Sequence, residues 1–193
     1  MSFEHEKKNV LDKIIYFDKS KKGLVDKEII SLVKEINNKK DYYTTSSCAG
    51  RIFLIKTSES GRKDESEWLL ASHDKIGLEQ LKNALGEAVK YDNESWFKQE
   101  SMIMHIACRT AENAEELLHI VRCNVGLKRA GIISLKRNIL EIIGADSIYT
   151  LVAKDKKILV DDYYLNLIVG IANKKMDINN KRIALLYKEI KKL

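Results

Sequence analysis

The chain has 193 residues, 45% of them hydrophobic, enough to bury a substantial core, and its length fits a single domain over residues 1–193. Lys and Arg number 34 against 28 Asp and Glu, a formal net charge of +6, which suits a polyanionic partner and equally a solvated surface. No segment approaches the roughly 18 uninterrupted apolar residues of a membrane helix, the first ten residues are charged rather than signal-like, and Cys48, Cys108 and Cys123 form no C-x-x-C pair. A cytoplasmic protein with three thiols, no disulfide framework and no membrane segment is expected.

In chain order, Val10, Leu11, Ile14, Ile15 and Phe17 recur at helical spacing, with Gly23 as a stop. Asp26 is placed to cap a second helix that buries Ile29, Ile30, Val33 and Ile36. Tyr42 to Ile55 reads as two β-prone runs around a small-residue turn at Ser46–Arg51. A polar loop from Ser58 to Ser66 leads to a short strand at Trp68–Leu70 ending in Ser72-His73-Asp74, and Asp74 caps a helix carrying Leu78, Leu81, Leu85 and Val89. Met102–Cys108 is an apolar run of strand length that contains His105. Thr110 or Asn113 caps a helix with Leu117, Leu118 and Val121, which ends at Asn124-Val125-Gly126 before a strand at Gly131–Leu135. Ile148–Ala153 and Ile158–Val160 flank a hairpin at Lys154–Lys157, and two closing helices start near Asp162 and Ile178. This pattern predicts a mixed α+β domain with about six short strands in a largely antiparallel sheet and flanking helices.

Neither a G-x-G-x-x-G after a strand nor a G-x-x-x-x-G-K-[ST] occurs, which excludes a standard dinucleotide fold or P-loop. The His105/Cys108 and His119/Cys123 pairs do not make the four ligands of a structural zinc site, so no metal is assigned. Ser46-Ser47-Cys48-Ala49-Gly50-Arg51 is more informative: small residues let backbone N–H groups approach a ligand, and hydroxyls beside a guanidinium suit a carboxylate or phosphate. An ordinary tight hairpin with Arg51 in solvent explains the same residues. Gly126-Leu127-Lys128-Arg129-Ala130-Gly131 poses a similar choice between an anion-contacting junction and a helix C-cap with solvated cations. His73 ends an apolar run and His105 sits inside one, where a histidine bonded to backbone is the simpler reading.

Taken together, Thr44–Ile52, Trp68-x4-His73 and His105-Ile106-Ala107-Cys108-Arg109 resemble, in order and spacing, the third wybutosine-synthesis family. Gly126–Ile132, Lys136-Arg137, Tyr164, Ile171-Ala172-Asn173-Lys174 and Arg182 extend the resemblance across roughly Asp26 to Arg182. It implies an S-adenosylmethionine-dependent N-methyltransferase acting on the tricyclic guanine derivative 3′ of the anticodon in tRNA-Phe, without the common glycine-rich methyltransferase motif and so outside the standard Rossmann class. The anticodon stem-loop is the implied partner, and no protein partner is expected. A non-catalytic basic RNA-binding module is the alternative.

Within that frame, His73 is the first choice for the base that removes the proton from the accepting nitrogen, ahead of His105 or a carboxylate. Ser46, Ser47, Cys48, Gly50 and Arg51 are assigned to the cofactor's methionine end, and Arg109, Lys128, Arg129 and Arg137 to tRNA phosphates. Ala49 stands where many relatives carry serine, and Leu127 where phenylalanine is usual.

Overall fold

The computed structural model describes residues 2–16, 25–58 and 65–193. Phe17, Gly23 and most of the expected Ser58–Ser66 loop lie outside these residues. The fold is α+β, built on antiparallel strands with flanking helices. Two compact units divide it, the first of Met1–Ala49, Met102–Ala145 and Asn180–Leu193, the second of Gly50–Ser101 and Asp146–Asn179.

The first unit holds helices α1 (Phe3–Tyr16), α2 (Ile30–Asn38) and α4 (Ala111–His119), and strands β4 (Arg129–Ser134) and β5 (Ile139–Ile143). It also takes the start of β1 (Tyr42–Lys56), the end of β3 (Ser95–Cys108) and the end of α5 (Asp162–Ile190). Its strands run β1-β3-β5-β4. Because β3 and β4 each pair antiparallel with β5, they are parallel to one another, and α4 makes the crossover between them. The expected strand-helix-strand unit is therefore present, with β5 inserted between its strands.

Period-two alternation divides β3 sharply: Met102, Met104, Ile106 and Cys108 face a core built from α2, α4 and α5, while Ile103, His105 and Ala107 face the other way. Leu127 is fully buried in that core, so its side chain packs rather than stacks on a base. On the opposite face, Tyr43, Ala107 and Ile139 form a smaller cluster against Phe3 and Val10 of α1.

The second unit contains β2 (Glu67–Ser72), α3 (Leu78–Ala88), β6 (Ile148–Lys154) and β7 (Lys157–Ile158), with the remaining parts of β1, β3 and α5. Here β1 pairs with β2, and the first half of β3 pairs with β6. Ile52, Leu54, Leu81, Leu85, Phe97, Val152 and the Leu165–Met176 stripe of α5 supply a separate core. The hairpin expected at Lys154–Lys157 turns at Asp155 and Lys156, whose φ values of 50° and 59° are those of a two-residue loop with both residues left-handed.

Four local expectations are corrected. Ser46–Arg51 is not a hairpin turn; β1 is one strand of 15 residues. Its small side chains fit an interior strand, and Gly50, at φ 92°, absorbs the local irregularity that L side chains rarely adopt. The Asp26 side chain does not cap α2 but accepts the Ala49 N–H at 2.7 Å. Asp74 does not cap α3: Gly77 occupies that position, and its N–H is taken by Gln80 at 2.8 Å. The two closing helices are one helix of 29 residues. Ala172, Met176, Asn179, Ile183, Leu186 and Ile190 make a continuous buried stripe at alternating spacings of four and three, so the polar stretch around Asn179 interrupts nothing.

Candidate active site

The registers of β1, β3 and β5 bring three polar side chains together on the sheet face away from the first unit's main core. His105 lies directly opposite Glu141 in the β3–β5 pair, so both side chains project on one face, and His105 Nε2 meets Glu141 Oε1 at 2.9 Å. On the other side, His105 Nδ1 is 2.9 Å from Ser46 Oγ of β1. Thr45 adds a hydroxyl donated to the His105 carbonyl at 3.4 Å. The His105 and Glu141 side chains are 27% and 29% exposed, and Ser46 is exposed outright. With Glu141 ionised, Nε2–H is the donor to the carboxylate, which leaves Nδ1 to accept the Ser46 O–H.

Gly131 of β4 pairs with Glu141 from the far side. A Cβ built on Gly131 meets no atom within 4 Å, so this glycine keeps the sheet surface beside Glu141 open. Arg129, exposed, lies two residues away on the same face, opposite Ile143. The sequence offered two signals for this constellation. One is the alternation within Met102–Cys108, which sets His105 apart from the buried methionines. The other is the single carboxylate inside the Ile139–Ile143 run, a strand missing from the sequence-based expectation.

In the second unit, His73 follows β2 and places Nδ1 2.7 Å from the Gly50 carbonyl. That contact fits an Nδ1–H donor, fixing the ring to the backbone. Asn173, from the Ile171–Lys174 motif, clasps Ile76 at both backbone groups, accepting its N–H at 3.0 Å and donating to its carbonyl at 2.8 Å, which ties the segment after His73 to α5. Arg51 stacks its guanidinium 4.8 Å from the Trp68 ring centroid and 6.0 Å from that of Phe53. Its Nε is buried and meets no acceptor among the described residues. A charged donor left without an acceptor in a partly buried setting fits an incoming carboxylate or phosphate.

The remaining sequence-assigned residues separate by their partners. Ser46 is engaged with His105 in mid-strand, Ser47 and Cys48 are half-buried in β1, and Cys48, Cys108 and Cys123 are all free of disulfides. Burial pushes the Cys108 thiol up to about 12, which makes it a packing group rather than a nucleophile. Arg109 is held by Asp41, Glu4 and the Lys40 carbonyl and lies 4.6 Å from the Phe3 ring centroid. Arg137 pairs with Glu6 at 3.1 Å. The Glu6 carboxyl is drawn below the usual carboxylate range, first by the Tyr43 hydroxyl and then by Arg137. Lys128 and Arg129 are exposed and have no carboxylate partner among the described residues.

An antiparallel α+β protein with an imidazole bonded on both sides, and a guanidinium whose Nε meets no acceptor among the described residues, carries groups suited to proton transfer and to anion binding. Comparison with known proteins gives the chain a family. The profile described as Methyltransferase TYW3 matches residues 5–192, and the chain belongs to that family. It is 35% identical to the tRNA wybutosine-synthesizing protein 3 homolog of Danio rerio, a match covering 94% of this chain and 72% of that one. It is 33% identical to the tRNA(Phe) 7-((3-amino-3-carboxypropyl)-4-demethylwyosine(37)-N(4))-methyltransferase of Thermococcus sibiricus, over 100% of this chain and 96% of the relative. The solved PH1069 protein from Pyrococcus horikoshii superposes with a TM-score of 0.87 at 32% identity, covering 98% of this chain and 96% of that one. Among the described residues, no helix is long and apolar enough to cross a membrane.

Proposed function

We propose that this protein methylates a ring nitrogen of the tricyclic wyosine-type guanine 3′ of the anticodon in tRNA-Phe, with S-adenosylmethionine as methyl donor. The observation that carries this reading is family membership along essentially the whole chain, with a relative named for that reaction aligned end to end. S-adenosylmethionine supplies an electrophilic sulfonium methyl, so the protein's tasks are to align the reactants and to take up the proton that the accepting nitrogen releases.

Arg51 supports the choice of donor, because its Nε lacks an acceptor among the described residues and a methionine carboxylate would satisfy it with a charge-assisted bond. Trp68, 46% exposed beside that guanidinium, holds the Arg51 side chain in place and leaves part of its own ring accessible. Lys128 and Arg129, unpaired with carboxylates among the described residues, are the cations suited to tRNA phosphates. Arg109 and Arg137 already spend charge on Glu4, Asp41 and Glu6, which leaves less of it for an RNA backbone.

The test is mass spectrometry of tRNA-Phe carrying the unmethylated tricycle after incubation with the protein and S-adenosylmethionine. A gain of one methyl group that depends on both protein and donor is expected. Binding of the tRNA with no change of mass would instead identify a non-catalytic RNA-binding module.

A further inference from the structure

We propose that helix α1 is a carboxylate cover: Glu4 and Glu6 keep RNA phosphates off Arg109 and Arg137, and so confine the RNA contact of the first unit to its other cations, Lys128 and Arg129. This rests on the reading of tRNA as substrate and adds two residues that set RNA selectivity within it.

Two of the cations that the sequence assigns to tRNA are already engaged, and both by α1. Glu4 meets Arg109 at 2.6 Å and Glu6 meets Arg137 at 3.1 Å, while Glu6 also accepts the Tyr43 hydroxyl at 3.1 Å. A guanidinium offers the same fork of N–H donors to a carboxylate as to a phosphate, so each glutamate stands where an RNA phosphate would dock. Packing among the described residues does not account for α1. None of its described side chains is fully buried, Phe3 and Val10 supply its packing against Tyr43, Ala107 and Ile139, and a cavity of about 120 Å³ remains between Glu6, Arg109, Lys136 and Arg137. Nor do the ion pairs secure the fold. The side chains of Glu4 and Arg137 are 65% and 50% exposed, and pairs so open to water add little to stability.

Strand register places this cover at one end of a sheet face. Ala107 pairs with Ile139 in the cluster against α1, His105 pairs with Glu141 next along, and Ile103 pairs with Ile143 beyond, with Arg129 of β4 opposite Ile143. Opposed residues project to one face, and at the far end Ile103 and Arg129 are exposed. Carboxylates therefore shield the face at the Arg109 end, whereas the Arg129 end presents a cation that meets no carboxylate among the described residues. An RNA backbone drawn in by charge is turned away from the first end and admitted at the second.

Filter binding across a salt series, with tRNA-Phe and with a tRNA of unrelated anticodon loop, tests the cover on the full chain. Glu4→Gln/Glu6→Gln keeps the side-chain shape and removes both charges. It should steepen the slope of log affinity against log salt by roughly 0.7 to 0.9 for each phosphate gained. Affinity for the unrelated tRNA should rise more than that for tRNA-Phe, since phosphate contacts carry no sequence information and only tRNA-Phe is fixed by its base. Adding Arg109→Ala and Arg137→Ala to that variant should return both quantities to the wild-type values. Glu112→Gln/Glu115→Gln on α4, at two exposed carboxylates, makes the same change of net charge and should leave the slope alone. If the double variant melts early, Glu4→Gln alone carries the test, with a smaller steepening expected and a wild-type slope overturning the cover. A wild-type slope in folded Glu4→Gln/Glu6→Gln, or equal steepening by the α4 pair, likewise overturns the cover, while methyl transfer by the wild-type protein leaves the proposed function standing. A wild-type protein that binds no tRNA overturns both.

Discussion

In the first unit a half-buried imidazole has both ring nitrogens bonded, to Ser46 and Glu141, whereas in the second a half-buried guanidinium has an Nε that meets no acceptor among the described residues. The two sites manage the same cost in opposite ways. A polar group withdrawn from water loses on the order of 1 to 3 kcal/mol if it goes unpaired, so a donor left unsatisfied gains from an incoming acceptor. The contrast makes Arg51 the better suited of the two to receive an anion.

The strongest way to break that division is to fill the opening beside Glu141. Gly131→Val puts a branched side chain on the face that carries His105 and Glu141, in a strand position where valine is favoured and the first carbon meets nothing within 4 Å. The fold should survive, while turnover should fall by about a hundredfold as the substrate base is pushed out of line. Gly170→Ala in α5 is the matched control, since its added carbon is equally unopposed, and it should leave turnover unchanged. If the two variants turn over alike, the open face is not where substrate lies.

A second substitution sharpens the other half of the comparison. Arg51→Ala should weaken S-adenosylmethionine binding by roughly 1.5 to 3 kcal/mol, the usual worth of a hydrogen bond to a charged group, while tRNA affinity changes little. Calorimetry with each ligand reads this directly. Equal losses for both would move Arg51 from the cofactor to the RNA.

The sequence made the helices legible and hid the His105–Glu141 contact, for a physical reason in each case. Helical stripes such as Leu81 and Leu85, or Leu117 and Val121, are local patterns, and each is buried as its spacing required. The Thr110 cap is equally local: its hydroxyl accepts the Asn113 N–H at 3.2 Å. Ser46-Ser47-Cys48-Ala49-Gly50 reads as a turn because those residue types favour turns, yet pairing on the sheet overrides propensity for residues this small. Tertiary register, which no local pattern encodes, sets His105 against Glu141 from 36 residues away. His73 stands out because it ends a strand next to a polar turn, whereas the neighbours of His105 are apolar and point to the other face.

The smallest effect expected concerns the cations, and there the comparison is between basic side chains of the same unit. Arg109 is engaged by two carboxylates and a carbonyl, whereas Lys128 and Arg129 stand exposed without carboxylate partners among the described residues. Each phosphate neutralised by a cation releases counterions, so replacing Lys128 and Arg129 together by alanine should reduce the slope of log affinity against log salt by roughly 1.4 to 1.8. The melting temperature should hold, because neither side chain makes an ion pair among the described residues. Arg109→Ala should do the reverse, lowering the melting temperature through its lost contacts with Glu4, Asp41 and Phe3 while leaving the salt slope unaltered. Filter binding across a salt series, run beside thermal melts of both variants, reads the two quantities separately. If the double variant keeps the wild-type slope, the Gly126–Gly131 segment is no part of the tRNA surface. If Arg109→Ala reduces the slope instead, its ion pairs must open when RNA binds, and the carboxylates of Glu4 and Asp41 then act as competitors for the phosphate.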